Sequence, residues 1–464
     1  MPASQEQEME SWRILLFARH GAEMLLFRSA SGFRLPVLRI PRWQRTAPNL
    51  NAEAKRLWQL DTVALFPLRV SPGNGHLPGC MYHVMEVCHA EELARFAPDC
   101  LTVSDLKEDS FADPRDFLAV RRAMRFEGAS SKESLETFAE FGSFEKLCGW
   151  VRSQLQSTGL RWNSDFRQLQ ASPSFALIRF QTNGEAVWFK AVGNPNVHEF
   201  LITTTLAARF PKYVPRILAT HEASNGWLMR EAEGTSLFQS ADISDWEKTV
   251  VSLADLQIAS VPRSDEILAA GARDLRIDRL KNQMDSFFVL ANRLMRQQTK
   301  TTPPPLSDTA LCQLQHDLDG VLEQLRSLDI PDALGHLDCN PGNIIVSPSG
   351  CTFLDWAEAC VGNPFFTFQY LLEFFRQTVP NDPEAERPLI AAYTLRWESI
   401  LDTEQIHGAL KLVPAPAAFA HAAAVAARLG AKEIEEPKTA ASLRSLARRV
   451  QREVEELRMS EALP

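Results

Sequence analysis

The stretch that most limits what this chain can fold into runs from Ala333 to Trp356. Asn340-Pro341-Gly342 must be a tight turn, because proline fixes φ and glycine admits dihedrals closed to other residues. Ile344-Ile345-Val346 reads as a short β-branched strand. Ser347-Pro348-Ser349-Gly350 is its hairpin turn and Cys351-Thr352-Phe353-Leu354 the return strand. A hairpin this short predicts Asn343 and Asp355 at the same end of the ribbon.

The side chains set on that frame are His336, Asp338, Asn340, Asn343 and Asp355. A carboxylate able to orient a hydroxyl is followed by an amide and a second carboxylate spaced to hold a metal. Two oxygen ligands, completed by phosphates and water, suit Mg²⁺. Phosphoryl transfer from a nucleotide asks for little more than an in-line nucleophile, Mg²⁺ on the phosphates and fixed geometry. Taken singly, Asp338 and Asn343 also read as turn residues and Asp355 as a surface carboxylate. The joint pattern favours the chemistry.

His336 to Asn343, with Leu354-Asp355-Trp356 and Gly362-Asn363-Pro364, resembles the aminoglycoside phosphotransferase and choline kinase-like family, over about residue 165 to the C-terminus. The resemblance implies a protein-kinase-like, two-lobed α+β fold. It implies a phosphotransferase that uses ATP or GTP and Mg²⁺ to phosphorylate a hydroxyl of a small molecule. Asp338 would be the catalytic base, Asn343 and Asp355 the metal ligands, and His336 a brace for the loop. Asn340 stands where many relatives have histidine, a supporting position that an amide can still fill with hydrogen bonds. Gly362-Asn363-Pro364-Phe365-Phe366-Thr367 replaces two carboxylates common in the family, a change that touches packing more than chemistry.

A small β-rich lobe is expected ahead of the motif. Phe175–Gln181 and Ala186–Val192 are strand-like and joined by Asn183-Gly184, a strong hairpin signal. Lys190, the one charge in its strand, either snorkels to solvent or faces an anion. In the family pattern it would hold phosphates. His198–Pro211 reads as a helix ended by proline, with Glu199 either bracing Lys190 or serving as a helix-start carboxylate. Ser172 and Ser174 lie where a phosphate-covering loop belongs, though an ordinary Ser/Pro turn reads equally well. Trp188 shares a face with Lys190, so it stacks on the base or crowds the pocket. Met229, Glu231 and Glu233 fall at the expected hinge, where backbone groups of about Glu231 to Glu233 would pair with the base edge. The alternative is a kinase-shaped binding protein whose Trp188 fills the nucleotide site and whose first domain acts as a sensor.

Residues 1–112 form a separate α+β domain. A hairpin around His20-Gly21-Ala22-Glu23, a helix over Asn51–Leu60 and strands around Thr62–Pro67 and Tyr82–Val87 are similar in order to a Nudix domain. Glu53 alone stands where such a domain needs several metal-binding glutamates, so hydrolase chemistry is not expected. Residues 113–164 read as a helical connector, with one helix opened by Asp113-Pro114 and another by Ser131-Lys132. Domain limits of 165–233 and 234–464 follow for the β-rich and helical lobes. The latter carries apolar spacing over 246–260, 273–298, 308–328, 384–410, 415–429 and 438–460. Glu373, Asp382, Glu384 and Glu386 either draw an amine-rich acceptor or form a solvated segment.

Composition sets outer bounds. With 464 residues, roughly two or three domains are expected. A net charge of −9 argues against nucleic acid as the main partner. The polar, acidic N-terminus lacks a secretory pattern, and no run of about 18 apolar residues predicts a membrane span. The eight cysteines have no C-x-x-C pairing, which fits reduced thiols in a cytoplasm. Cys339, inside the motif, reads as a small buried residue or a modifiable thiol. The acceptor and the oligomeric state are not readable.

Overall fold

The computed structural model describes residues 8–70, 80–128, 138–240, 242–379 and 383–462. Ser131, expected to open a helix, and Asp382 lie outside them. The chain divides into two compact units: Met1–Phe200 with Arg216–Glu231, and Leu201–Pro215 with Ala232–Pro464.

The first unit holds two larger sheets and the two-stranded ribbon Phe27–Ser29/Gly32–Arg34. In one, Met9–Ala18 pairs parallel with Cys80–Val87, which pairs antiparallel with Thr62–Val70. The other edge of Met9–Ala18 takes Val37–Pro41 and Glu23–Leu25. The apolar run Ile14-Leu15-Leu16-Phe17 is divided by the two-residue period of a strand. Ile14 and Leu16 enter a core with Ala47, Leu50 and Ala54 of the helix Thr46–Trp58. Leu15 and Phe17 enter a second core on the opposite face. Glu53 is the single carboxylate of that helix and is bound by Arg56.

The second sheet is antiparallel, in the order Ile217–His221, Gly226–Arg230, Val187–Val192, Phe175–Thr182, Trp162–Ser172. Its Ile178, Phe180, Val187, Phe189 and Ala191 share a core with Leu15 and Phe17. The helices Pro114–Gly128 and Ser143–Gln156 supply Ala119, Val120, Ala123, Phe144, Leu147 and Val151 to that core. Residues expected to be a connector are therefore a structural layer.

The second unit is mainly helical: Ile243–Ser260, Ile277–Arg296, Asp308–Ser327, Phe365–Thr378, Glu386–Trp397, Thr403–Leu412, Pro414–Arg428 and Pro437–Ala462 are its longer helices. Two expectations need correction. The stretch 384–410 is two helices, separated where Asp402 caps the second in a capping box with Gln405. Residues 273–275 are not helix: Arg273–Leu275 joins Ala359–Gly362 and Ala333–His336 in a sheet. That sheet is assembled from strands distant in sequence, so local spacing could not reveal it. The hairpin Ile344–Ser347/Gly350–Phe353 forms as expected and adds Thr235–Ser236 at its edge. Among the described residues no single helix is long and apolar enough to cross a membrane. Thr403–Leu412 and Pro414–Arg428 would qualify only together, and they are bent by 57°.

Candidate functional site

In the second unit, Ala333–His336 ends at the loop that carries Asp338. Asn340 caps the short turn Pro341–Asn343 by accepting from Gly342 N–H at 2.9 Å. Its Nδ2 donates to Asp338 Oδ1 at 2.8 Å, and Asn343 Nδ2 donates to Asp338 Oδ2 at 3.0 Å. Two amides thus fix the plane of one carboxylate. Asn343 Nδ2 also donates to the Asp338 carbonyl at 3.0 Å. Its Oδ1 has no hydrogen-bond partner among the described residues.

His336 ties this loop to the segment before Asp355. Its Nδ1 accepts from Asp338 N–H at 3.1 Å and its Nε2 donates to the Leu354 carbonyl at 2.9 Å. Those partners require the neutral tautomer with the proton on Nε2. Burial acts the same way, holding the imidazole below its usual pKa. Leu354 N–H donates to Asn343 O at 2.8 Å, so the end of the return strand is bound to the metal-ligand candidate itself. Asp355 follows with φ 61° and ψ 66°. A left-handed aspartate is uncommon and persists only where its surroundings over-determine it. Asn363, expected to be structural, is buried and accepts from Phe365 N–H at 3.0 Å.

An oxygen of Asn343 turned away from Asp338, together with the Asp355 carboxylate, would offer a short set of hard ligands. Among the described residues no cluster of three or more His, Cys, Asp or Glu could hold a metal. The residues fit an ion that keeps waters and takes phosphate oxygens, which is the habit of Mg²⁺.

In the first unit, Lys190 and Glu199 are buried and ion-paired. The snorkelling alternative is thereby excluded. Lys190 stands across from Leu177 and Trp227, its Nζ 5.7 Å from the rings of both Phe175 and Trp227. Trp188, on the same face, donates from Nε1 to Glu231 Oε1 at 3.0 Å, and Glu231 also takes Arg179 in a fork at 2.7 and 2.9 Å. Met229 pairs with Trp188 and is half-buried. The Glu231 N–H is not available to a base edge. It donates to Ala186 O at 3.0 Å, extending the strand ladder one residue past Arg230. Ser172 and Ser174 flank the turn between Trp162–Ser172 and Phe175–Thr182 and are half-buried, their hydroxyls without partners among the described residues. Gly193 is needed there, since an added Cβ would sit 2.4 Å from Ser174 Cβ. Glu233, in the second unit, is exposed.

The acidic side chains beyond the motif are already engaged: Glu373 by Arg449, Glu386 by Arg376 at 2.7 Å and Glu384 by Arg387 at 2.5 Å. Sequence reasoning missed Tyr370 and His421, whose rings stack at 5.6 Å and 24°. Burial, then the Asp338 charge, pushes Tyr370 up to about 12. Burial and the charges of Arg449 and Arg428 hold His421 low. In sequence both sit on apolar helix faces and read as core.

Residues 192–404 match the model of a family described as APH, the Phosphotransferase enzyme family. None of the curated proteins matches the chain. Among solved structures, choline kinase from Cryptosporidium parvum is similar at 12% identity and a TM-score of 0.49, over 69% of this chain and 98% of that one. Ethanolamine kinase from Plasmodium vivax is similar at 12% identity and 0.46, over 70% and 94%. Macrolide 2'-phosphotransferase from Brachybacterium faecium is similar at 15% identity and 0.41, over 65% and 97%.

Proposed function

We propose that this chain is a small-molecule kinase that moves the γ-phosphoryl group of ATP or GTP to an alcohol, with Mg²⁺ as cofactor. The observation that carries this reading is the grip of Asn340 and Asn343 on both oxygens of Asp338. A carboxylate held that way can orient an acceptor hydroxyl and take its proton as the new P–O bond forms and the β–γ bridge breaks, releasing the nucleoside diphosphate. Asn343 and Asp355 would hold Mg²⁺, which when bound neutralises phosphate charge. Lys190, kept in place by Glu199, would bind the α- and β-phosphates, and the hydroxyls of Ser172 and Ser174 would cap them. The family match over residues 192–404 supports the reaction class.

Turnover is measured by ATP consumption over a panel of aminoglycosides, other antibiotics, sugars, amino alcohols and homoserine-like compounds. Asp338→Asn lowers kcat by a factor on the order of hundreds while Mg·ATP or Mg·GTP still raises the melting temperature. Asp355→Asn abolishes the metal-dependent part of that rise. Undiminished turnover by Asp338→Asn sinks the proposal. Absence of stabilisation by either nucleotide favours the kinase-shaped binding protein.

A further inference from the structure

One cavity lies outside the family match. It is formed wholly within the first unit, between the helix Thr46–Trp58 and the strand Trp162–Ser172, and has a volume of about 1080 Å³. A second cavity of about 390 Å³ shares His89, Ser164 and Phe166 with it, so the two abut along the same strand. The first is the size of pockets that take small organic ligands.

Its charge opposes that of the chain. Arg45, Lys55, Arg167 and Arg179 line it against Asp61 and Asp165, in a protein of net charge −9. Lys55 is spent on Asp61 at 2.8 Å and Arg179 on Glu231. Arg45 and Arg167 have no ion-pair partner among the described residues. Two unspent guanidiniums lining one recess attract an anion.

The rim adds an aromatic. Trp43 lines the cavity, is 81% exposed and has φ 68°; Ser164 on the opposite wall has φ 74°. A left-handed backbone at a tryptophan is disfavoured, and nothing in the core rewards it, since the ring meets the Arg42 guanidinium at 4.9 Å and is otherwise in solvent. Phe166 supplies a second apolar wall. The floor is polar and already satisfied. Gln168 Oε1 accepts from Ala64 N–H and Asn51 Nδ2, each at 2.9 Å, and its Nε2 donates to Ala64 O at 2.8 Å. Selectivity is therefore left to the cationic wall and the exposed Trp43 ring.

We propose that this cavity is a second ligand site, selective for small organic anions that join a phosphate to a planar ring. Arg45 and Arg167 bind the phosphate, and Trp43 stacks on the ring. A ligand in place also borders Arg179, the guanidinium that holds Glu231 beside Trp188. The site does not depend on the phosphotransferase reading.

Calorimetric titration of the full chain with 1-naphthyl phosphate, inorganic phosphate and 1-naphthol tests it. Naphthyl phosphate binds with Kd of about 1 mM or tighter and more strongly than either fragment. Arg45→Glu/Arg167→Glu weakens it by about tenfold or more, and Trp43→Ala weakens naphthyl phosphate but not inorganic phosphate. These side chains are exposed, so unchanged melting temperatures show that the variants fold. Binding persists in Asp338→Asn and in Asp355→Asn, which impairs the metal-dependent nucleotide site. Undetectable binding, unaltered binding by either cavity variant, or loss of binding in Asp355→Asn overturns the proposal. Loss of Mg·ATP stabilisation alone would strike only the kinase reading.

Discussion

Lys190 and Glu199 show how much one pair of residues can reveal. Their side chains are 7% and 1% exposed, so both charges have left water. A buried ion pair is seldom a net source of stability, but breaking it is expensive because the surviving charge is stranded. Lys190→Met and Glu199→Met should each lower unfolding free energy by about 3 kcal/mol or more, and the double variant should recover a good part of the loss. Urea titration measures all three. Additive losses would show that the charges do not depend on each other. Sequence pattern alone showed a lone lysine in an apolar strand and a first-turn glutamate, and the family resemblance implied that they pair. Neither supplied the burial. The left-handed backbone of Asp355 was equally invisible, because aspartate carries no mark of the dihedral it will adopt.

At the scale of elements, the hairpin that carries Asn343 and Asp355 is anchored through Gly234. This glycine has φ 123°, and a Cβ there would lie 2.1 Å from Val346 O. Only glycine lets the chain pass so close and go on to pair Thr235 and Ser236 with Val346 and Ile345. Gly234→Ala should cost more than about 1 kcal/mol, read as a lower urea midpoint. It should reduce phosphotransfer beyond the unfolded fraction, by shifting the strand that follows Asn343. An unchanged midpoint would refute the close approach. A comparable lock holds the helix Pro114–Gly128 to the first sheet. Arg13 binds Asp113 at 2.7 Å and Asp116 at 2.5 Å, and Tyr82 O–H donates to Asp116 at 3.0 Å. The hairpin was legible from proline, glycine and β-branched spacing. The strand Arg273–Leu275 was not, because its partner lies far along the chain.

For the molecule as a whole, acid is the informative variable. His83 is buried and its pKa lowered to about 4 by that burial. Burial lowers His336, His221 and His421 as well. A histidine whose folded pKa lies below its unfolded value binds fewer protons when folded. Its contribution is intact above the unfolded pKa of about 6.5 and drains away as pH falls toward the folded pKa. Asp332, pushed up to about 6 by burial, acts in the opposite sense. The histidines outnumber it, so unfolding free energy should drop on acidification from about pH 6.5 to about 4. His83→Leu should flatten that slope, by an amount on the order of 3 kcal/mol across the window. A His83→Leu profile parallel to the parent's would rule out the buried neutral imidazole as a cause.

What the chain itself determined was local: which residues turn, which alternate, and which oxygen-bearing side chains flank a short ribbon. Turn chemistry and strand periodicity act over a few residues, so the order of residues alone was enough to set Asn343 and Asp355 at one end of a short ribbon. Tertiary structure decided what depends on distant chain segments meeting. It stranded Lys190 with Glu199 away from water, gave the Glu231 N–H to Ala186, and drew the helices after residue 113 into a core shared by both sheets. It also walled off a cationic recess beside Trp43. Burial and long-range pairing are properties of the packed chain, set by which apolar faces find each other, and no short window of sequence contains them.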